Sequence, residues 1–320
     1  MNKIHIIWLA AAVILIILGI CMSASALGMN GWDFTKLGTV KYVTNTHNLG
    51  EEFTNISFDT DTADILFIPS GDGKCKVVCH EPENQKHTVS VSGDTLTVSV
   101  RDQRKWYEYI GISFGSPKIT VYLPESEYGN LHIRESTGDV EIPEAFTFDG
   151  IDISASTGDV KCFASASGNI KIKLSTGDIL VDGVSSAGLD MSVSTGRVSA
   201  SHINCGGDVK LHVTTGKANL SNIACRNFIS DGDTGSVNLE NVIASGKFDI
   251  ERSTGEVKFD GCDAAEIFVE TDTGDVTGSL LSDKIFIVET DTGRIDVPRS
   301  VNGGRCEIET DTGDIKLYIR

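Results

Sequence analysis

The sequence predicts an all-β protein: a β-solenoid of about ten 19–20-residue rungs with an N-terminal β-rich cap, preceded by one transmembrane helix. Three observations carry that expectation. The dipeptide Thr-Gly returns ten times at a spacing of 19 or 20 residues. Apolar residues stand at constant offsets from each of these glycines and alternate with polar ones. A charge-free apolar run fills most of the first 30 residues.

The repeated glycines are Gly138, Gly158, Gly177, Gly196, Gly216, Gly235, Gly255, Gly274, Gly293 and Gly313. In the early repeats the phrase reads Ser-Thr-Gly-Asp, as at Ser136–Asp139 and Ser156–Asp159. Two residues after each glycine comes an apolar column that includes Val140, Val160, Ile179 and Val198. Seven and five residues before it come two more, exemplified by Ile151, Ile170, Leu189 and by Ile153, Ile172, Met191. Alternation with period 2 puts such residues on one face of a strand, so each repeat is expected to hold two short strands joined by glycine turns. An antiparallel meander of twenty strands would leave its apolar face open, and open sheets rarely exceed ~10 strands. A solenoid buries that face inside itself and asks each rung to contact only its neighbours.

Residues 44–135 follow other rules and are expected to cap the repeats of 136–320. Asn55–Phe58, Ala63–Ile68, Thr95–Val100 and Lys118–Leu123 alternate as strands do, separated by unequal loops. Ahead of them, residues 1–29 form the expected anchor and 30–43 a stem. Ile4 to Gly28 carries no Asp, Glu, Lys or Arg and is long enough to span a bilayer as a helix. Lys3 precedes it and the next Lys or Arg is Lys36, which orients the N-terminus to the cytoplasm and the rest outside. Two other readings of this segment stay open: cleavage after Ala24-Ser25-Ala26, and lipidation at Cys21.

The chain has 45 acidic and 27 basic side chains, a formal charge of −18 that repels nucleic acid and anionic lipid headgroups. Seven cysteines lie outside the anchor, an odd number; Cys75 and Cys79 share one strand face, without the spacing of a zinc ribbon. They are expected to act as small buried apolar residues. His202 and His212 fall at different phases of the repeat and are expected at the surface.

No nucleophile elbow, phosphate loop, HExxH or dinucleotide fingerprint is present, and no cofactor is expected. Asp-Thr-Gly occurs at Asp233, Asp272, Asp291 and Asp311, but as one variant of a turn written Ser-Thr-Gly elsewhere, which argues against an aspartic protease. Two groups stand out as possible binding residues. Glu270, Glu289 and Glu309 fall in one column, with Asp272, Asp291 and Asp311 two residues later. They read as a solvated acidic face, with a cation site as the alternative because carboxylates suit Ca²⁺. Arg104, Trp106, Tyr107 and Tyr109 crowd one loop of the cap, the residue types typical of partner-binding anchors.

The anchor followed by Gly31–Lys36, the strand Lys118–Leu123 closed by Pro124, and the iterated Ser-Thr-Gly-Asp units together resemble the bacterial putative-adhesin family of β-strand-repeat envelope proteins, a domain family of unknown function. The resemblance runs over roughly residues 30–320. It implies an extracytoplasmic β-repeat domain and no catalytic residues. The function expected is that of a non-enzymatic, adhesin-like structural or interaction module anchored in the cell membrane, with an unknown envelope protein or surface ligand as partner. A sensor or regulatory partner in an envelope-stress response is the alternative the resemblance adds. A polysaccharide-acting enzyme fits less well, because Tyr318 is the lone Tyr and no Trp occurs in the repeats.

Overall fold

In the computed structural model the described residues are 3–29, 31–32, 40–100 and 115–320. One helix, α1 (Lys3–Met29), precedes a parallel β-solenoid whose strands hydrogen-bond from rung to rung. Val160 pairs in register with Val140 on one side and Ile179 on the other, and Ile170 with Ile151 and Leu189. The apolar columns therefore stack directly and form one continuous core.

The interior rungs have three short inward-facing runs rather than the two expected. Leu189, Met191 and Val193 precede the Thr-Gly turn at Gly196, and Val198 and Ala200 follow it; all five are buried. A second corner then sits at His202 (φ +52°), and the buried pair Ile203 and Cys205 forms the third side. The same corner recurs at Gly183, Asn222, Asn241 and Gly261, all with positive φ. Asn tolerates this left-handed conformation better than most residues, so the corner leaves no glycine column to read in the sequence.

The Thr-Gly turns explain why their motif is invariant in glycine. From Gly158 onward each glycine nests against the carbonyl of the turn glycine one rung away, and Gly138 against that of Ala63; a Cβ on Gly177 would overlap the Gly158 oxygen, and one on Gly196 the Gly177 oxygen. The following Asp has a related role. Asp139 Oδ1 accepts the backbone N–H of Asp159 at 2.8 Å, Asp159 that of Asp178 at 2.8 Å, and Asp178 that of Arg197 at 2.8 Å. Each carboxylate thus satisfies a turn amide that the strand ladder leaves without a partner.

The cap comprises β1 (Tyr42–Leu49), β2 (Asn55–Thr62), β3 (Asp64–Pro69), β4 (Cys75–Pro82), β5 (His87–Ser92), β6 (Thr95–Val100) and β7 (Lys118–Leu123). It continues into the repeats through β8 (Glu127–Thr137) and β9 (Val140–Ile142), with β8 pairing both to β2 and to Thr147–Thr157 of the next rung. β2 lies between β6 and β8, so β6 and β7 form the outer rung. Antiparallel strands close that rung: β5 on β6, β4 on β7, and β1 on β4. An aromatic cluster of Phe58, Phe67, Phe146 and Tyr128 fills the interior below.

The carboxy-terminal rungs depart from simple sequence order. Val257–Thr273 pairs with Gly304–Thr312, and Gly304–Thr312 pairs with Lys284–Thr292. The last rung in sequence is therefore inserted between the two before it. The inserted rung lies close against its neighbours: a Cβ on Gly304 would overlap the Ala265 carbonyl and one on Gly303 the Asp283 carbonyl. The displaced rung carries Pro298, which cannot donate to a ladder and is tolerated at an edge. Ile285 and Ile287 are exposed on this terminal strand, and the core-column residues Phe286 and Val288 are only partly buried.

Candidate functional site

Core columns that turn polar mark the places where the repeat departs from a uniform rod. The column three residues before each turn glycine runs through Ala155, Leu174, Val193 and Val213 and then loses its side chain at Gly232. Arg252 fills the gap from the adjacent rung: its guanidinium donates to the Val213 carbonyl at 3.0 Å and to Ser230 Oγ at 2.7 Å. Burial pulls this guanidinium below its ordinary pKa, against the opposing charges of Asp231 and Asp233. Ser230, the polar exception in its own column, is thus the partner of a buried arginine.

At the junction of cap and repeats the same column presents Glu135. Thr60 donates its hydroxyl to this carboxyl, and the backbone N–H groups of Ala63 (3.2 Å) and Thr137 (3.4 Å) reach Oε1. Burial pushes its pKa up to about 8, aided by the charges of Asp61 and Asp64, while the two backbone donors hold it down. The carboxyl is therefore largely protonated at neutral pH and serves as a buried joint.

A surface groove of about 670 Å³ lies in the cap. Its floor includes Leu49, Phe53, Cys75, Pro124 and Tyr128, and its rim Glu51, Lys74, Asp94 and Glu127. Tyr128 donates its hydroxyl to the Pro124 carbonyl at 2.8 Å and stacks on Phe53 with ring centroids 6.4 Å apart. Burial raises the Tyr128 phenol to about 12 and the Cys75 thiol to about 11, so both groups are neutral packing surface at neutral pH. An apolar floor with a charged rim suits the docking of an apolar side chain or acyl group.

Next to this region β1, β4 and β5 hold a buried polar cluster that sequence reasoning missed. The Glu81 carboxylate accepts Asn45 Nδ2 at 2.6 Å, the His87 backbone N–H at 2.6 Å and His87 Nδ1 at 2.7 Å. Cys79 stands two residues before Glu81, and burial and the Glu81 charge push its thiol up to about 12. The signal available in the sequence was the alternation of β4, Cys75-Lys76-Val77-Val78-Cys79-His80-Glu81, which places Glu81 on the core face.

The acidic columns are exposed, but in a different order from that expected. Glu270 pairs with Glu309, and Glu309 with Glu289, so Glu309 and Asp311 occupy the middle of each triad. Between them Thr271 donates to Thr310 Oγ1 at 2.9 Å, and Thr310 to the Gly274 carbonyl at 3.2 Å, beneath the carboxylates. Neighbouring strands lie about 4.8 Å apart, inside a Debye length of about 8 Å, so salt screens the repulsion only in part. Replacing Glu309 and Asp311 together by Gln and Asn is expected to raise the melting temperature at low salt more than the same change at Glu289 and Asp291. Melts in NaCl and in CaCl₂ at matched ionic strength provide the check. A saturable, Ca²⁺-only rise abolished by the double substitution would make these rungs a cation site instead.

His202 and His212 lie on exposed positions, each hydrogen-bonded to an aspartate of the neighbouring rung, Asp182 and Asp231. All eight cysteines are free thiols, and six are buried. Arg104, Trp106, Tyr107 and Tyr109 lie outside the described residues.

A long parallel solenoid, closed at one end by antiparallel strands and exposing polar turn columns, defines a non-globular repeat module. The chain belongs to the Toastrack DUF4097 family, whose profile matches residues 53–212 and 204–320. Among solved structures it is similar to a putative adhesin from Bacteroides fragilis, with 16% identity over 87% of this chain and 97% of that one and a TM-score of 0.34. A putative adhesin from Parabacteroides distasonis aligns at 12% identity over 88% and 98%, with a TM-score of 0.39. A putative lipid binding protein from the same organism aligns at 12% identity over 86% and 97%, with a TM-score of 0.32. No curated protein matches the chain.

Proposed function

We propose that this protein is a non-enzymatic interaction module of the cell envelope, held on the outer side of the membrane by an uncleaved α1. The observation that carries this reading is the surface of α1. From Val13 to Leu18 every side chain is apolar and exposed, and none of the span Ala12–Met29 is buried against the rest of the chain. A lone helix with that surface is stable in lipid, where its backbone is satisfied internally and its side chains are solvated by acyl chains. The closed register of the solenoid then presents a rigid surface beyond the membrane. The cap groove is the surface we assign to contact with a second envelope component, and Arg104, Trp106, Tyr107 and Tyr109 are the further residues we propose as partner-binding anchors.

Protease added to intact protoplasts is expected to remove the solenoid while the N-terminal segment stays with the membrane. Survival of the solenoid under those conditions, or a mature N-terminus at Leu27, would reject the anchored form. Photo-crosslinking from Trp106 in the membrane-embedded protein is expected to capture a partner, and this capture should weaken when Phe53 is replaced by Glu.

A further inference from the structure

The cap contains a second candidate site that the envelope function does not use. Cys79, Glu81 and His87 each offer a donor atom, and these three atoms lie within 4.8 Å of one another. All three residues are buried, with Cys79 and Glu81 fully so. Hydrogen bonding satisfies the carboxylate and one nitrogen of the imidazole, but His87 Nε2 is buried with no partner. A buried ring nitrogen without a partner is costly and uncommon. The neighbouring strand holds another: His47 Nε2 is also buried without a partner. β1 pairs with β4 so that Asn45 faces Cys79 and His47 faces Val77, and Asn45 reaches Glu81 with its side chain. His47 is two residues from Asn45 and so lies on the same sheet face.

We propose that Cys79, Glu81 and His87 form a binding site for a zinc-class divalent cation. A thiolate, a carboxylate and an imidazole are a borderline-soft donor set, which favours Zn²⁺ over Ca²⁺ or Mg²⁺. On binding, metal–sulfur, metal–oxygen and metal–nitrogen bonds form, and the thiol proton leaves to solvent with no change of oxidation state. Asn45 Nδ2 and the His87 backbone N–H hold the carboxylate from outside the donor set, as the groups that orient metal ligands commonly do. The three ligands come from two strands, β4 and β5, whose connecting turn the cation would clamp. Binding would therefore stabilise the cap, the part of the solenoid that closes its end.

The test uses the full-length chain in detergent with a thiol-free reductant. After stripping with a chelator and reloading, one Zn²⁺ per chain should survive gel filtration. Co²⁺ in its place should give a thiolate-to-metal charge-transfer band. Cys79→Ser should abolish that band, and His87→Gln should weaken Zn²⁺ binding at least about tenfold. Asn45→Ala, which leaves all three donors in place, should weaken it by roughly tenfold. Cys75→Ser, on the same strand face but outside the cluster, should bind as the parent does. Circular dichroism of each metal-free variant controls for folding. If the parent protein retains no Zn²⁺, or gives no charge-transfer band with Co²⁺, the site does not exist. A band that persists in folded Cys79→Ser, or that disappears in folded Cys75→Ser, overturns the assignment equally.

Discussion

Gly216→Ala should destabilise the solenoid by about 4 kcal/mol or more, whereas Gly183→Ala should cost only about 1–2 kcal/mol. Both glycines have positive φ, +148° at Gly216 and +69° at Gly183. Their surroundings differ. A Cβ on Gly216 would overlap the carbonyl oxygen of Gly196, which is backbone and cannot swing aside. A Cβ on Gly183 would meet nothing within 4 Å, and its φ is one that Asn222 and Asn241 adopt at the equivalent corner. Urea denaturation of the two variants, followed by far-UV circular dichroism, measures the difference. Equal losses would show that backbone conformation alone, and not the stacking of turn on turn, makes the Thr-Gly column invariant. Gly183→Asn should be milder still.

The second large effect is a pH dependence centred on Glu135. Its carboxyl titrates at about 8 in the folded chain, against an ordinary value of 4.5. A folded-state pKa raised above the unfolded one means that the native protein holds the proton more tightly. The stability linked to this group is therefore fully present below about pH 4.5 and is lost as pH rises through about 8. At roughly 1.4 kcal/mol per pKa unit, the interval from 4.5 to about 8 bounds the loss at roughly 5 kcal/mol. Glu135→Gln keeps an oxygen for the N–H groups of Ala63 and Thr137, its amide N–H can donate to the Thr60 hydroxyl once that hydroxyl turns to accept, and it cannot ionise. The variant should match the parent near pH 5 and exceed it at pH 9. Asp182 and Asp208 are held below the usual carboxylate range by His202 and Arg226, and their linked stability is lost only as pH falls through that lower range. Stability curves that stay parallel from pH 5 to pH 9 would show that Glu135 is solvated and ionised in the native joint.

These two effects lie on different levels of legibility. The glycine column was visible in the sequence because a turn that recurs every 19 or 20 residues imposes the same steric demand each time. Glu135 is less legible, although it stands in the column that holds Ala155 and Leu174 in later rungs. Its significance depends on Thr60, which is 75 residues away in sequence and comes into register only when β2 pairs with β8. The cluster of Cys79, Glu81 and His87 is hidden in the sequence for a similar reason: it depends on β5 folding back beside β4, and the sequence shows only three ordinary residues in two strands.

The periodic parts of this protein are written in its sequence: a β fold, the 19–20-residue rung, the Thr-Gly turn and the inward columns. All of these follow from local sterics and period-2 burial, which act identically in every repeat. Tertiary structure alone decided the third side of each rung and the order of rungs at both ends. The segments Glu270–Gly274, Glu289–Gly293 and Glu309–Gly313 all read Glu-Thr-Asp-Thr-Gly, so strand pairing within them cannot choose which lies innermost. Their flanks differ: Gly303 and Gly304 lie tight against the Asp283 and Ala265 carbonyls in the inserted rung, and Pro298 suits the outer edge.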